Sequence, residues 1–182
     1  MKNKKLVNLI LAALFLGIGL VLPFVTGQIQ KIGNMLLPMH IPVLLCGFIC
    51  GPQFGILVGF VLPLMRSALF GMPVMYPDAV AMAFELAAYG FVSGFIFGKA
   101  KGKGIISVYG SLVAAMLTGR VIWGIARTLL LGLDGFTFKM FIAGAFVNAV
   151  PGIILQLILI PAVVLALDKT NLIKRSDKYV RK

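Results

Sequence analysis

The stretch from Ala79 to Gly98, AVAMAFELAAYGFVSGFIFG, decides the class of fold. It is apolar apart from one charged residue, Glu85, and its length matches the roughly 20 residues of a transmembrane helix. An ionisable group at bilayer depth is costly and is retained where it faces protein, water or ligand. Glu85 is therefore the first candidate for a functional site.

The composition of the whole chain agrees with this interpretation. Hydrophobic residues make up 60% of the 182 residues and charged residues only 12%, whereas soluble domains carry about 25% charged residues. The chain is predicted to be an all-α integral membrane protein with a single domain, residues 1–182. The membrane segments use nearly all of this length, so we expect no separate soluble catalytic domain.

Apolar runs long enough for membrane helices occur six times. The predicted helices are residues 6–26, 35–50, 54–70, 79–98, 105–133 and 140–167, followed by a basic tail at 168–182. The second and third are short, and Gly51-Pro52-Gln53 between them is uncharged. This hairpin tip is not expected to emerge fully from the membrane.

The positive charges give the predicted orientation. Twelve of the seventeen Lys and Arg residues fall before helix 1, at 99–103, or after helix 6. Six spans place all three clusters on one side, which the positive-inside rule makes cytoplasmic, together with both termini. The net charge of +12 is thus interpreted as a topology signal with some attraction to anionic lipid, and not as a nucleic-acid surface.

Five further polar residues share the membrane segments with Glu85. With this topology and a rise of about 1.5 Å per residue, all six lie in the outer half of the membrane or near its midplane. They are Glu85, Arg66, Arg120, Arg127, His40 and Asn148. Their common depth predicts one site that opens outward.

The spacing within the helices also predicts shared faces. Arg120 and Arg127 are seven residues apart and form one cationic stripe, and Asp78, Glu85 and Tyr89 share a face of helix 4. On helix 6 the corresponding series is Gly144, Asn148, Gly152 and Gln156.

Three arginines against one buried carboxyl favour an anionic ligand such as a carboxylate. The alternative is an ion pair of Glu85 with one arginine that only holds helices together. His40, between Pro38 and Pro42, is equally consistent with capping broken helix backbone.

Small residues recur at four-residue spacing in the first three helices. Such pairs permit close approach of helix backbones, either to a partner protein or within the chain. They are Ala13 and Gly17, Gly47 and Gly51, and Gly55 and Gly59.

Several functions are disfavoured by missing motifs. Cys46 and Cys50 have no His or acidic partner at metal-ligand spacing and are interpreted as packing residues. There is no phosphate-binding loop for ATP, and no nucleophile with a base or metal set that would indicate an enzyme. The alternative function is a small stand-alone carrier or channel. The sequence shows no clear inverted repeat of the kind that complete carriers contain, but a homo-oligomer could supply one.

Three segments carry a family resemblance. The helix 1 segment LAALFLG (11–17), the run PMHIPVLLCGFICGP (38–52) and GILVG (55–59) resemble the S components of energy-coupling factor (ECF) transporters. The resemblance covers almost the whole chain, and it rests on the three segments together because each one alone is a loose match.

The resemblance implies a bacterial plasma-membrane protein that captures a vitamin or related micronutrient from outside. It further implies docking through the first three helices on a T component driven by two ATPases. These partners use ATP, and the chain itself binds no cofactor. The helix 1 docking motif would correspond to Ala13 and Gly17. Ligand residues differ within the family and cannot be transferred.

The sequence does not identify the substrate. Pantothenate, folate, biotin, lipoate or niacin would satisfy the arginines. Riboflavin or a pyridoxine-like ring would instead depend on aromatic side chains, namely Tyr89, Trp123, Phe84 and Phe91.

Overall fold

The computed structural model describes residues 2–26, 35–100 and 104–169, and this part of the chain is helical. The predicted tail beyond 169 and most of the 99–103 loop lie outside it. The helices are α1 (Lys2–Val21, continued by a 3₁₀ turn Leu22–Thr26), α2 (His40–Cys50), α3 (Pro52–Phe70), α4 (Val80–Lys99), α5 (Ile105–Gly135), α6 (Phe138–Ile142) and α7 (Val150–Lys169). Short π-helical turns, Met75–Ala79 and Ala143–Val147, precede α4 and α7.

Among the described residues, five helical stretches are long and apolar enough to cross a membrane. They are Lys5–Val25, Pro52–Phe70, Met75–Lys99, Ile105–Gly135 and Val150–Leu167. The outer surfaces of these helices carry exposed Leu, Ile, Val and Phe side chains, as a lipid environment requires. The chain is a multi-pass membrane protein.

The second predicted helix is shorter than expected. It begins at His40 and not at residue 35, because Leu37 has a positive φ of 52° and precedes Pro38, and the residue before a proline disfavours the α conformation. Its 11 residues extend about 16 Å, which is too short to span the hydrocarbon core alone. Nine of them are buried, so α2 is a core helix.

The sixth predicted helix, 140–167, is interrupted. The chain forms α6, then the π turn Ala143–Val147, and resumes as α7 at Val150. Pro151 follows this restart, and a proline near a helix start is tolerated because its missing N–H would have no partner there. The interruption leaves Asn148 at a break in the backbone and not in mid-helix.

The α2–α3 connection is tighter than predicted. Gly51 adopts φ 91°, and α3 begins at the next residue, Pro52. A left-handed φ suits glycine, which has no Cβ to clash, and proline is favoured in the first helical turn. The short α2 and the longer α3 therefore form a hairpin with a one-residue turn.

Helix α4 is central and packs against α2, α3 and α5. The contacts with α2 and α3 pass through glycines: a Cβ at Gly55 would meet the Gly90 backbone, one at Gly59 the Leu86 backbone, and one at Gly47 both Gly90 and Ser93. Without a Cβ the backbones approach closely, which strengthens van der Waals contact in a membrane. This crossing fixes the depth of Glu85 on α4.

Candidate functional site

A cavity of about 120 Å³ opens between the N-terminal ends of α2, α4 and α7 and the C-terminal half of α5. This volume is well above the roughly 10–15 Å³ that a cavity needs to hold a single water molecule, so the cavity has room for several waters or for a polar group of a ligand. Its lining residues are Leu37, Pro73, Asp78, Met82, Glu85, Arg120, Trp123, Arg127, Gly144 and Asn148.

The cavity lies where the helical backbone is interrupted. Leu37 precedes α2, Pro73 and Asp78 belong to the α3–α4 connection, and Gly144 and Asn148 flank the break before α7. Non-helical backbone at membrane depth is tolerated where protein buries it or where it lines a water-filled cavity. The breaks before α2 and α7, which the sequence did not predict, therefore help to form this cavity.

Glu85 joins two other buried side chains at the more buried part of the cavity lining. Arg120 Nη1 donates to Glu85 Oε1 at 2.9 Å, and His40 Nε2 lies 3.3 Å from the same oxygen. All three side chains are at least 95% buried. The alternative of a buried ion pair at Glu85 is thus present in the structure, and Arg120 is its cationic partner.

A second ion pair, between Arg127 and Asp78, lies at the more exposed part of the cavity lining. Arg127 Nη1 donates to Asp78 Oδ1, and both side chains are partly exposed. The Arg127 guanidinium also lies 5.4 Å from the ring centroid of Trp123 and 5.5 Å from that of Phe136. These cation–π contacts fix the direction of Arg127 across the cavity wall.

The lining carries balanced charge. It contains two carboxylates, Asp78 and Glu85, and two guanidinium groups, Arg120 and Arg127. The predicted cationic surplus is therefore wrong for this cavity.

The prediction counted Arg66, which the structure places elsewhere. Arg66 Nη1 donates to the Leu20 carbonyl, and its guanidinium lies 5.0 Å and 5.3 Å from the ring centroids of Phe24 and Phe70. Arg66 ties α3 to the end of α1 and does not line the cavity.

Both arginines keep N–H groups without a partner. Arg120 Nε and Nη2 and Arg127 Nε are buried and make no hydrogen bond in the described structure. Nε and Nη2 lie on the same edge of a guanidinium, and such a fork pairs bidentately with a carboxylate. Arg120 thus combines one edge bound to Glu85 with one free edge.

His40 and Tyr89 lie behind the cavity wall. The Tyr89 ring packs edge-on against the His40 ring, with centroids 4.9 Å apart, and it fills the space beside Gly119, which has no Cβ. Tyr89 is fully buried. The structure therefore brings six of the seven predicted site residues into the lining or close to Glu85, with Asn148 exposed at the lining, and places only Arg66 elsewhere.

The predicted docking residues divide into two groups. Ala13 and Gly17 are on an exposed face of α1, and a Cβ at Gly17 would meet no atom within 4 Å. Gly47, Gly55 and Gly59 are buried against α4. They let the backbones of α2 and α3 approach α4 within the chain, so their assignment to a docking surface is corrected. Gly51 forms the α2–α3 turn.

Sequence reasoning missed part of the lining. Leu37, Pro73 and Met82 were not predicted, because nothing in an apolar or turn residue marks it as facing a cavity. Asp78 was placed on the correct face of helix 4 but not assigned to ligand binding. Its seven-residue spacing from Glu85 was the available signal.

A helical membrane bundle with a partly open cavity at its helix breaks, lined by two ion pairs, is the class of protein that the fold and the site define. Residues 7–164 match the family model of the ECF transporter, substrate-specific component. The chain belongs to this family, whose members bind small-molecule substrates and work with a T component and ATPases. No curated protein and no solved structure gives a significant match.

Proposed function

We propose that this chain captures a carboxylate-bearing vitamin or related micronutrient with high affinity from the outer side of a bacterial plasma membrane. The bound substrate is then delivered by docking on the T component and its two ATPases, which use the ATP. The chain contributes binding alone and needs no cofactor of its own. In this arrangement both termini face the cytoplasm.

The observation that carries the proposal is the free edge of Arg120. Arg120 lines the cavity, and its Nε and Nη2 are buried without a partner among the described residues. A buried polar group that makes no hydrogen bond is costly. A substrate carboxylate on this edge would satisfy two N–H groups at once. Glu85, bound to Nη1, holds the guanidinium in the orientation that presents the edge.

Arg127 and Trp123 supply the second part of the proposed binding mode. Arg127 Nε also has no partner within residues 2–26, 35–100 and 104–169, so it can donate a further hydrogen bond. Trp123 lines the cavity and offers an aromatic surface to the apolar part of a substrate. A cavity with a few placed polar groups and an aromatic wall is typical of small-molecule sites.

A binding screen tests the substrate part of the proposal. Purified protein is heated with pantothenate, folate, biotin, lipoate, nicotinate, riboflavin or pyridoxine, and the unfolding temperature is measured. A ligand at 100 times its dissociation constant stabilises the folded state by about 2.7 kcal/mol. Stabilisation by riboflavin or pyridoxine alone would contradict the carboxylate assignment.

Co-purification tests the delivery part. A tagged chain expressed with a T component and two ATPases should retain all three through detergent extraction, and reconstituted vesicles should take up substrate only when ATP is present on the ATPase side. Uptake by the isolated chain without these partners would instead support the stand-alone carrier.

A further inference from the structure

The charges of the cavity lining cancel. Among the described residues, its charged members are two carboxylates and two guanidinium groups, arranged as the pairs Asp78–Arg127 and Glu85–Arg120. A substrate with a carboxylate and no other charge would leave the occupied cavity with one negative charge in excess. A charge that is removed from water without a partner is costly. The lining therefore fits a substrate without net charge better than it fits a simple anion.

The two ion pairs lie at different levels of the cavity. Arg120 and Arg127 are seven residues apart on α5, which corresponds to about 10 Å along the helix axis. The side chains of Arg120 and Glu85 are 5% and 1% exposed, whereas those of Arg127 and Asp78 are 20% and 27% exposed. A substrate that extends along this wall meets a buried pair at one end and a more exposed pair at the other.

The two carboxylates differ in what they leave for a ligand. Glu85 Oε1 already has two partners, Arg120 at 2.9 Å and His40 at 3.3 Å, and the side chain is almost fully buried. Asp78 Oδ1 accepts a hydrogen bond from Arg127, but a carboxylate has about four acceptor positions. Because the Asp78 side chain is also partly exposed, it is the carboxylate that a substrate can reach.

The surroundings of Asp78 already stabilise one cation. The Arg127 guanidinium is bound to Asp78 and lies 5.4 Å from the ring centroid of Trp123. Asp78 and Trp123 both line the cavity. A carboxylate beside an aromatic ring also suits substituted ammonium groups, which are attracted to both. This part of the lining therefore has the chemistry to hold a substrate cation beside Arg127.

From these charges and positions we infer that the substrate is a zwitterion, an acid that also carries a protonated amine or a quaternary nitrogen. Its carboxylate pairs with Arg120, as in the proposed function, on which this inference rests. Its cationic group lies against Asp78 and the ring of Trp123. Asp78 is then a specificity-determining residue, because it favours such molecules over acids that lack the second charge.

Three matched pyridines separate the two charges. Nicotinate carries only a carboxylate at neutral pH, trigonelline is nicotinate with a methylated and therefore cationic ring nitrogen, and ring-methylated nicotinamide carries only the cation. Each is added at millimolar concentration to the purified protein, and affinity is obtained from the shift in unfolding temperature. Trigonelline should bind more tightly than both others by on the order of tenfold or more, the scale of one close charge pair.

An aliphatic series repeats the comparison with a longer, flexible spacer. ε-Aminohexanoate is the zwitterion, hexanoate the matched acid and hexylamine the matched cation. The zwitterion should bind most tightly in at least one of the two series, according to the spacing between its charges.

The possible results distinguish this inference from the proposed function. If the matched acid binds as tightly as the zwitterion in both series, the zwitterionic class is overturned and carboxylate capture stands. If the matched cation binds as tightly as the zwitterion, carboxylate capture itself is overturned. A lack of any shift with all six compounds would also overturn the zwitterionic class, and the vitamin screen alone would then decide carboxylate capture.

Asp78→Asn locates the effect. The substitution removes the negative charge and keeps the size of the side chain, and the variant should stay folded because its ion pair is partly exposed. The zwitterion should bind more weakly by on the order of tenfold, whereas the matched acid should bind as tightly as before or more tightly.

Asp134→Asn is the matched control. It makes the same change of charge at an exposed position near the end of α5, outside the lining of the cavity, so the preference for the zwitterion should persist. Equal weakening of acid and zwitterion in Asp78→Asn would mean that Asp78 only fixes Arg127, and would overturn its role in specificity.

Discussion

Arg120 Nη1 and Glu85 Oε1, 2.9 Å apart, join the two helices that carry the proposed site. Glu85 lies on α4 and Arg120 on α5, and both side chains are almost fully buried. One guanidinium edge thus serves the fold, while Nε and Nη2 on the other make no hydrogen bond to the described part of the chain. Substitutions at Glu85 and at Arg120 should therefore affect stability and substrate binding to different degrees.

Removing the carboxylate should damage the fold first. Glu85→Gln leaves the Arg120 charge buried without its partner, which typically costs about 3–5 kcal/mol. We expect a large fall in unfolding temperature and in yield, measured on protein purified in detergent. Asp78→Asn is the control: its pair with Arg127 is partly exposed, and such pairs contribute only about 0–1 kcal/mol. Equal loss in both variants would contradict the central position of Glu85.

Replacing Arg120 should weaken substrate binding. Arg120→Met should cost on the order of 2–5 kcal/mol of binding free energy, the scale for truncating one partner of a buried charge pair. Arg120→Lys should recover only part of this, since Lys keeps the charge but has no fork. Arg127→Met should also lower affinity. Calorimetric titration measures all three, and unchanged affinity in both Met variants would return the arginines to a structural role.

Arg66 should behave differently, although it is also an arginine in an apolar helix. Arg66→Met loses the hydrogen bond to the Leu20 carbonyl and the contacts with Phe24 and Phe70, so its unfolding temperature should fall. Its substrate affinity should match that of the wild type. A large loss of affinity at normal stability would show that Arg66 reaches the substrate after all.

The contrast between Arg66 and Arg120 shows what the sequence could predict. Hydropathy located the membrane segments, and seven-residue spacing placed Arg120, Arg127, Asp78 and Glu85 on facing surfaces. Depth alone could not show that Arg66 faces α1. The rotation of a helix about its axis depends on which helices pack beside it, and the sequence does not reveal that arrangement.

The breaks in the helical backbone also could not be predicted from a pattern of apolar runs. Leu37 and the break beside Asn148 interrupt stretches whose hydropathy is continuous, and these interruptions shape the cavity. The glycines at positions 47, 55 and 59 were compatible with docking on a partner protein or with packing inside the chain. Only the packing of α4 against α2 and α3 in the structure decided for the second.

The exposed face of α1 gives a prediction about docking. Gly17→Leu and Ala13→Trp should abolish ATP-dependent uptake by the assembled complex while substrate affinity of the isolated chain stays near wild type, because bulk there blocks helix approach without touching the cavity. Gly19→Leu is the contrasting variant: its Cβ would meet Leu62 and Pro42, so it should impair folding. Parallel loss of binding and uptake at Gly17 would show that α1 only packs the fold.

Labelling tests the proposed topology. In a background with Cys46→Ala and Cys50→Ala, both buried in the native chain, a single cysteine is placed at position 28 or 101. Six membrane crossings put position 28 outside and position 101 with the basic clusters inside. An impermeant maleimide added to intact cells should therefore label Gln28→Cys and spare Lys101→Cys, which should react only after the membrane is opened. Because α2 has only 11 residues, the test also asks whether this short helix, with the segment before it, completes a crossing. Labelling of position 101 in intact cells would show that it does not, and would place the two ends of the chain on opposite sides.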